Sequence, residues 1–436
     1  MTIIVETFRE TSLLFLYFVI SSLHCLTEKV YFCTKFKKMK TLRQEFLAHI
    51  GQTSPEPLLI EVERAEGVYF YTPDGKRYYD LVSGVSVNNV GHANPKVTAA
   101  VQQQAADYMH IMVYGEMVER PQVQYATQIA NLLPDPLDSV YFVNSGSEAV
   151  EGALKLAKRY TGRHKMMSMH CAYHGSNHGS LSMMASPEGD TWKAPFQPLL
   201  PDVGYLWFNN FGDLNRIDNQ TACVLVEPVQ GEAGVIPPED GYLQALRQRC
   251  DETGTMLIFD EIQTGMGRTG AMFAMQKYGV TPDIVCLAKA FGGGMPLGAF
   301  ISSKEIMDSL QSNPVLGHIT TFGGHPVCCA AGLAALNYII DNQLVKDVER
   351  KGKRYEDALR NAPNVLEIRR SGLLMAIELG TSEKLFKMMA LFKENGIMSD
   401  WFLFCDTAFR ISPPLTISDE EIDDSCQIIL ECLNKL

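Results

Sequence analysis

Short apolar runs alternate along most of this chain with segments of helical periodicity. The strand candidates are residues 139–145, 165–171, 222–228, 255–261, 283–289 and 298–303. Amphipathic patterns between them, such as 148–160 and 242–250, predict helices. Strands buried on both faces have continuous apolar sequences, so this alternation predicts an α/β fold with a parallel sheet covered by helices.

The two ends of the regular region have a different pattern. Residues 68–84 alternate aromatic and β-branched positions around Asp74-Gly75, a two-residue turn signal that predicts a hairpin. Near the carboxyl end, an apolar run at 373–379 precedes a helical pattern at 383–395 and a last amphipathic segment. These patterns predict a small α+β domain closed by a C-terminal helix.

The first 38 residues do not match the rest. Thr11 to Thr27 form an uncharged apolar run of 17 residues, whereas a spanning helix needs about 20. No basic leader precedes the run, as a secretory signal would require. We interpret Met39 as the start of translation, with an N-terminal anchor or leader as the alternative. Under either interpretation, the lysine cluster at 35–40 would hold the catalytic body on the cytoplasmic side.

Composition and charge narrow the class of protein. The 436 residues are 46% hydrophobic and 20% charged, as in a folded globular chain, and the formal net charge is −12. An acidic surface repels phosphate backbones, so we expect no nucleic-acid partner. The eleven cysteines include no CxxC pair, which favours reduced thiols in the cytoplasm over disulfides or a zinc site.

Candidate chemistry follows three of the predicted strands. Asn144 to Ser147 opens a helix after the first strand, and we expect Ser147 to cap it and to offer its hydroxyl to a phosphate. Asp260 ends a wholly apolar strand, where a carboxylate needs a cation. Lys289 ends another, before a glycine-rich loop, where desolvation would make its amine nucleophilic.

Each of these features alone has a structural explanation: a capped helix, an acid paired with arginine, and a lysine at a strand end. Ligands of such sheets bind at the carboxyl ends of the strands, so the three would meet at one edge. An anion-binding turn, a buried acid and a Schiff-base lysine are the parts that hold pyridoxal phosphate.

The chain also resembles the class III aminotransferases (acetylornithine, 4-aminobutyrate and ω-amino acid:pyruvate types) of the fold-type I pyridoxal-phosphate enzymes. The resemblance runs from about Gly67 to Leu415 and includes GHANPKV, NSGSEAVEGALKLAKR, VEPVQGEAG, FDEIQTGMGRTG, LAKAFGGGMPLGA, TTFGGHP and RISPPLT. It implies a large domain with a mostly parallel seven-stranded sheet, over 96–335. It also implies a small domain from both chain ends, 39–95 and 336–436.

The resemblance implies roles around the cofactor. Lys289 would form the Schiff base and move the proton, Asp260 would hold the pyridine nitrogen protonated, and Gln263 would contact the ring hydroxyl. Gly146 and Ser147 would bind the phosphate, and Tyr173 would stack on the ring.

It also implies roles at the substrate and between subunits. Arg410 would grip a substrate carboxylate, and Glu232 would pair with Arg410 when the amine-bearing carbon has no carboxylate. Thr321 would reach the phosphate of the neighbouring subunit's cofactor, which makes the enzyme a homodimer. The reaction would move an amino group from an ornithine-, acetylornithine- or 4-aminobutyrate-like donor to a 2-oxo acid such as 2-oxoglutarate or pyruvate.

Two positions depart from the family pattern. Ser176 stands where relatives that bind a distal carboxylate have arginine, and His325 stands where asparagine is usual. His170, His174 and His178 have the i, i+4, i+8 spacing of helical metal ligands, but Gly175 interrupts that helix, so we expect no metal site.

Other reactions of the same cofactor also fit these motifs. Decarboxylation, racemisation and amino migration use the same cofactor chemistry, and the motifs do not separate them well from transamination. The loop FGGGMPLG invites comparison with a dinucleotide-binding turn, but it does not follow the first strand of a βαβ unit. A non-catalytic binding protein would have no chemical need for Lys289, Asp260 and Arg410 together.

Overall fold

The computed structural model describes residues 41–186, 189 and 191–436, and the chain divides into two compact units, 1–62 and 63–436. The described part of the first unit contains helix α1 (Leu42–His49), which begins with a capping box between Thr41 and Gln44. The apolar run at 11–27, the lysine cluster and the interpretation of Met39 as the start lie outside the described residues. Within the described ranges, no helix has the length and apolarity needed to cross a bilayer.

The second unit alternates strands with helices over most of its length. Its strands are β1 (Arg64–Glu66), β2 (Tyr69–Tyr71), β3 (Arg77–Asp80), β4 (Ser139–Val143), β5 (Lys165–Met169), β6 (Val203–Leu206), β7 (Thr221–Val226), β8 (Met256–Asp260), β9 (Ile284–Leu287), β10 (Gly298–Ser302), β11 (Glu367–Ser371), β12 (Leu374–Glu378), β13 (Ile397–Met398), β14 (Trp401–Phe402) and β15 (Cys405–Ile411). Its helices are α2 (Pro95–Asp107), α3 (Arg120–Ala130), α4 (Gly146–Thr161), α5 (His178–Ser182), α6 (Tyr242–Thr253), α7 (Ala274–Tyr278), α8 (Lys304–Asp308), α9 (Pro326–Asp341), α10 (Val345–Leu359), α11 (Ser382–Asn395) and α12 (Asp419–Leu433).

The central sheet has seven strands in the order β4-β10-β9-β8-β7-β5-β6. All neighbours are parallel except β10, which runs antiparallel to both β4 and β9. The predicted mostly parallel α/β sheet is therefore confirmed. The edge strand β6 was not predicted, because its sequence VGYL is short and mostly half-buried, which gives no long apolar run.

Both faces of this sheet are buried, which explains the continuous apolar sequences of its strands. Val224 and Phe259 belong to the core on one face, whereas Leu225 and Ile258 belong to the core on the other. Helix α4 covers the second face so closely that a Cβ on Gly152 would lie 2.2 Å from Phe300 Cε1. Helix α4 begins three residues after the carboxyl end of β4.

Two four-stranded sheets contain the strands from both ends of this unit, β1-β2-β3-β13 and β11-β12-β15-β14. The hairpin predicted around Asp74-Gly75 is confirmed as β2 and β3, but its connection spans 72–76 and is longer than a two-residue turn. Strand β13 pairs in parallel with β3, joining Ile397 to Tyr79. The domain boundaries at 95 and 335 stay a prediction.

Candidate active site

The three strand ends singled out in the sequence meet at one cavity of about 650 Å³. The sequence-predicted residues that line it are Gly146, Ser147, Tyr173, Glu232, Asp260, Gln263 and Lys289. Its wall also includes Asn144, His174, Ser176, Glu227 and the loop segment 294–297. The cavity lies at the carboxyl ends of β4, β8 and β9, where ligands of open α/β sheets bind.

One end of the cavity is formed by the first turn of α4. Its cap is Ser145, whose hydroxyl accepts the amide N–H of Glu148 at 3.2 Å, so the expectation that Ser147 is the cap was wrong. Helix α4 begins two residues earlier than the sequence pattern indicated, which places Ser147 inside the first turn. There its hydroxyl contacts Ser180 Oγ at 2.8 Å and accepts the amide N–H of Asn177 at 3.2 Å.

The same turn leaves no room for larger side chains. A Cβ on Gly146 would lie 2.8 Å from Ile262 Cδ1, and one on Gly175 would lie 2.1 Å from Ser147 Oγ. Free N–H groups at the start of a 16-residue helix attract anions, and the missing side chains let an anion approach the backbone.

Asp260 forms the floor of the cavity at the end of β8. Its side chain is 4% exposed, and its two oxygens have different partners. Oδ2 lies 2.7 Å from Nδ1 of the buried His174, and Oδ1 accepts the amide N–H of Ile262 at 3.0 Å. A carboxylate held at this depth by a histidine and a backbone amide can accept a further hydrogen bond from a protonated ring nitrogen.

Lys289 follows β9 and begins a 3-10 turn at a backbone φ of 51°. This left-handed conformation is uncommon for a residue with a side chain. Burial lowers the pKa of Lys289, and the nearby Arg410 lowers it further, although Glu232 and Asp260 oppose the shift. A lowered pKa increases the fraction of neutral amine, which is the nucleophilic form.

Gln263 and Glu227 complete the wall beside Asp260. The Nε2 atom of Gln263 is buried and has no hydrogen-bond partner among the described residues, so it can donate to a ligand. Glu227 accepts the amide N–H groups of Gly231 at 3.2 Å and Tyr173 at 3.4 Å, and burial with the charge of Asp260 raises its pKa well above the ordinary value. Sequence reasoning missed Glu227, although its place directly after the apolar run of β7 carried the same signal as Asp260.

Arg410 lies on β15 beside the cavity and contacts it through Glu232. Its Nη2 donates to Glu232 Oε1 at 2.8 Å, and its Nε donates to Asp400 Oδ1 at 2.9 Å. Burial raises the pKa of Glu232, but the charges of Arg410 and Lys289 outweigh it, so the net shift is downward. The sequence predicted the pair of Arg410 with Glu232 and missed Asp400.

Among the predicted site residues, Arg410 reaches the cavity only through Glu232, and Thr321 does not line it. Thr321 is exposed, whereas its neighbour Thr320 accepts a hydrogen bond from Asn144 Nδ2 at 3.0 Å. Ser176 lines the cavity and contacts the hydroxyl of Tyr173 at 3.2 Å. His325 stacks on His110 with ring centroids 5.4 Å apart, directly before α9.

The three regularly spaced histidines do not share a helix. His170 stacks on Trp207, His174 pairs with Asp260, and His178 is the first residue of α5. The described residues contain no group of three or more side chains suited to a metal ion.

Fold and cavity together define a pyridoxal-phosphate-dependent enzyme of fold type I. Three observations fit this cofactor. The buried amide Nε2 of Gln263 has no partner among the described residues, and a Cβ at Gly146 or Gly175 would crowd the start of α4. Asp260 and Lys289 supply an acid and an amine to the same cavity.

Comparison with known proteins gives the family. The sequence model of class-III aminotransferases matches residues 50–433, so the chain belongs to that family of transaminases. It is 39% identical over 375 residues to acetylornithine aminotransferase of Methanopyrus kandleri, covering 84% of this chain and 92% of the relative.

Solved structures agree with this assignment. Ornithine aminotransferase of Toxoplasma gondii superposes with a TM-score of 0.83 at 30% identity, over 91% of this chain and 96% of that chain. A second structure of that enzyme has a TM-score of 0.82 at 29% identity, over 93% and 97% of the two chains, and shows partial occupancy of PLP at its active site. This chain is therefore a PLP-dependent class-III aminotransferase that acts on an amino donor and a 2-oxo acid.

Proposed function

We propose that this enzyme transfers an amino group from an ornithine-, acetylornithine- or 4-aminobutyrate-like donor to 2-oxoglutarate or pyruvate, in two half-reactions at the same cavity. The observation that carries the proposal is the convergence of Lys289, Asp260 and the start of α4 on one cavity. The similarity to acetylornithine and ornithine aminotransferases supports the donor class.

We assign the cofactor contacts by the chemistry of each group. The amides at the start of α4, with Gly146 and the hydroxyl of Ser147, would hold the phosphate. Asp260 would accept the hydrogen bond of the ring nitrogen, Gln263 Nε2 would donate to the ring hydroxyl, and Tyr173 would cover the ring face. When bound, pyridoxal phosphate supplies the carbon that carries the amino group and a ring that draws electrons from the substrate.

Lys289 would act as the base of the reaction. Its Nζ, made more neutral by burial, takes the proton from the amine-bearing carbon of the donor. Glu232 would stay paired with Arg410 when the amine-bearing carbon of the donor has no carboxylate. When a 2-oxo acid binds, its carboxylate would take the place of Glu232 on Arg410.

A homodimer belongs to the same proposal. Exposed apolar side chains concentrate in two segments that lie together, because the rings of His110 and Phe322 are 4.8 Å apart. The segments include Met109, Ile111, Met117 and Val118 on one side and Val315, Leu316, Ile319 and Phe322 on the other. An apolar patch of this kind fits a second copy of the chain, whose cavity would receive the exposed Thr321.

A cytoplasmic location and the absence of a nucleic-acid partner are the remaining parts of the proposal. The free thiols of several described cysteines, among them Cys223, Cys250 and Cys286, suit a reducing compartment. The net charge of −12 opposes binding to phosphate backbones.

The test uses the purified holoenzyme and borohydride. Reduction should bleach the visible absorbance and leave a pyridoxyl group on Lys289, detected by peptide mass spectrometry. Lys289→Ala should bind the cofactor without that adduct and lose turnover, whereas the exposed-site control Lys304→Ala should match the parent. Steady transamination by Lys289→Ala would contradict the role of Lys289. A panel of amine donors assayed with 2-oxoglutarate and pyruvate would identify the substrates.

A further inference from the structure

Arg410 forms ion pairs with two carboxylates from different parts of the chain. Asp400 binds the Nε edge of the guanidinium, Glu232 binds Nη2, and the side chain of Arg410 is 1% exposed. Its Nη1 is buried and has no hydrogen-bond partner among the described residues. The face of the guanidinium rests on Phe402, with Cζ 4.6 Å from the ring centroid.

The two acids differ in how firmly they are tied to Arg410. The amide N–H of Arg410 donates to the carbonyl of Asp400 at 2.9 Å, and Ser399 Oγ donates to the carbonyl of Arg410 at 2.7 Å. The backbone of Asp400 is therefore held by Arg410 itself, whereas the carbonyl of Glu232 accepts the amide N–H of a different residue, Phe404, at 2.9 Å. Glu232 lies on a loop after β7, and its Oε2 already accepts the amide N–H of Leu403 at 3.0 Å. Glu232 can leave the guanidinium and keep a partner, whereas Asp400 stays.

This arrangement decides how a substrate carboxylate can enter. Once Glu232 withdraws, Nη1 and Nη2 offer a two-pronged end to an incoming carboxylate, while Asp400 keeps Nε. The incoming group then meets an arginine whose charge is already balanced by one acid. The charged groups that face Asp400 are Arg410, Glu232 and Lys289, so adding a carboxylate leaves negative charge in excess at Arg410 unless an acid takes up a proton.

We propose that Asp400 is a specificity-determining residue that orients Arg410 by its Nε edge and takes up a proton when a substrate carboxylate binds at Nη1 and Nη2. This inference rests on the proposed role of Arg410 in binding that carboxylate. Donors whose amine-bearing carbon has no carboxylate leave both acids in place and require no proton. As the pH rises, the enzyme therefore favours donors whose amine-bearing carbon has no carboxylate over α-amino acid donors.

The direction of the pH dependence follows from the electrostatics of Asp400. Partial burial, with 27% of the side chain exposed, raises its pKa to about 6, although Arg410 opposes the shift. A bound carboxylate raises the pKa further, so proton uptake occurs between about 6 and the pKa of the complex. Affinity for the carboxylate is constant below pH 6 and falls by up to about tenfold per pH unit above it.

The experiment measures binding of glutarate, an unreactive dicarboxylate, to the holoenzyme by calorimetry between pH 5.5 and 8.5. Two buffers with different ionisation heats give the number of protons taken up. Asp400→Asn keeps an oxygen for Arg410 Nε and removes only the charge. We expect about tenfold tighter glutarate binding at pH 8 in this variant, with less proton uptake than in the parent. Asp406→Asn, an exposed change in the same sheet, is the matched control and should match the parent.

The outcomes separate this inference from the proposed function. Glu232→Gln measures the share of proton uptake that belongs to Glu232. Parent-like pH dependence and uptake in Asp400→Asn, or no uptake near pH 7 in the parent itself, would overturn the role of Asp400. Unchanged glutarate binding in Arg410→Met would instead overturn the proposed substrate site. The parent measurement needs no variant, so a poorly folded Asp400→Asn leaves the inference open to refutation.

Discussion

His174 fixes the acid of the active site through a contact between two buried side chains. Its Nδ1 lies 2.7 Å from Asp260 Oδ2, and its Nε2 has no hydrogen-bond partner among the described residues. With Ile262 on Oδ1, each oxygen of Asp260 has one partner from the protein. The carboxylate is thereby held in one orientation, which leaves its remaining lone pairs for the ring nitrogen of the cofactor.

The backbone at Gly175 has no room for a side chain, because it lies directly against Ser147. Gly175→Ala should raise the dissociation constant for pyridoxal phosphate by roughly tenfold or more, since a clash worth about 1.4 kcal/mol has that effect. The new Cβ would lie 2.1 Å from Ser147 Oγ and 2.8 Å from Ser147 Cβ, so Ser147 must move from the start of α4. Fluorescence titration of the apoenzyme gives the constant.

The control for this variant is Gly241→Ala. Gly241 also has a positive φ, of 81°, but a Cβ there would have nothing within 4 Å. It therefore reproduces the backbone cost without the clash. Equal cofactor affinity in the two variants would contradict the assigned crowding at Ser147.

At the scale of elements, a buried arginine connects the loops around the site. Ser83, Val85 and Ser86 have φ values of 49°, 63° and 60°, with Gly84 between them, so the segment forms a left-handed turn. Arg268 Nη2 donates to Ser83 Oγ in the first residue of this turn and to Asn89 Oδ1 after the turn. Left-handed backbone costs free energy at residues with side chains, and the contacts at both ends hold it in place.

Arg268 also connects two further segments. Its Nη1 donates to the carbonyls of Leu373 at 3.0 Å and Pro413 at 2.6 Å. Burial lowers its pKa to about 9, which leaves it a cation at neutral pH. One side chain thus ties the turn before Val87 in the cavity wall to the segment after Arg410.

Removing the guanidinium of Arg268 should destabilise the fold. Arg268→Met should lower the free energy of unfolding by about 3 kcal/mol or more, because several buried acceptors lose their donor. Urea unfolding measures the change. Arg268→Lys retains a cation and should lose less, while a loss below about 1 kcal/mol for Arg268→Met would show that the carbonyls find other donors.

At the scale of the whole molecule, the predicted site residues are of two kinds: those at or beside the chain's own cavity, and the exposed Thr321. Residues such as Lys289 line the chain's own cavity, whereas Thr321 does not. If Thr321 serves the active site of a partner subunit, then Lys289 and Thr321 of one chain belong to different active sites of the dimer.

Mixed dimers of Lys289→Ala and Thr321→Ala test this arrangement at low cofactor concentration. Each variant alone should be impaired at both sites. A mixed dimer places both defects at one site and leaves the other intact, so random mixing of equal amounts should restore roughly a quarter of the parent activity in a twofold-symmetric dimer. No gain over the separate variants would contradict the shared site. Light scattering on the parent checks the dimer independently.

The sequence by itself determined the central sheet except for its edge strand β6, and three residues of the site. Strands buried on both faces had to be continuous apolar runs, and the residue after each run had to lie at the same edge of a parallel sheet. Gly146, Asp260 and Lys289 were therefore found from local pattern, and the family motifs added Arg410 and Glu232.

Tertiary structure decided which side chains meet across those elements. His174 reaches Asp260 from 86 residues away, and Asp400 reaches Arg410 across a sheet edge whose register shifts at Trp401. Strand register and loop conformation set such pairs, and neither leaves a periodic signal in the chain. Ser145 is a different case, because its hydroxyl caps α4 through the amide of Glu148, and the S-x-x-E spacing of these two residues was already present in the sequence.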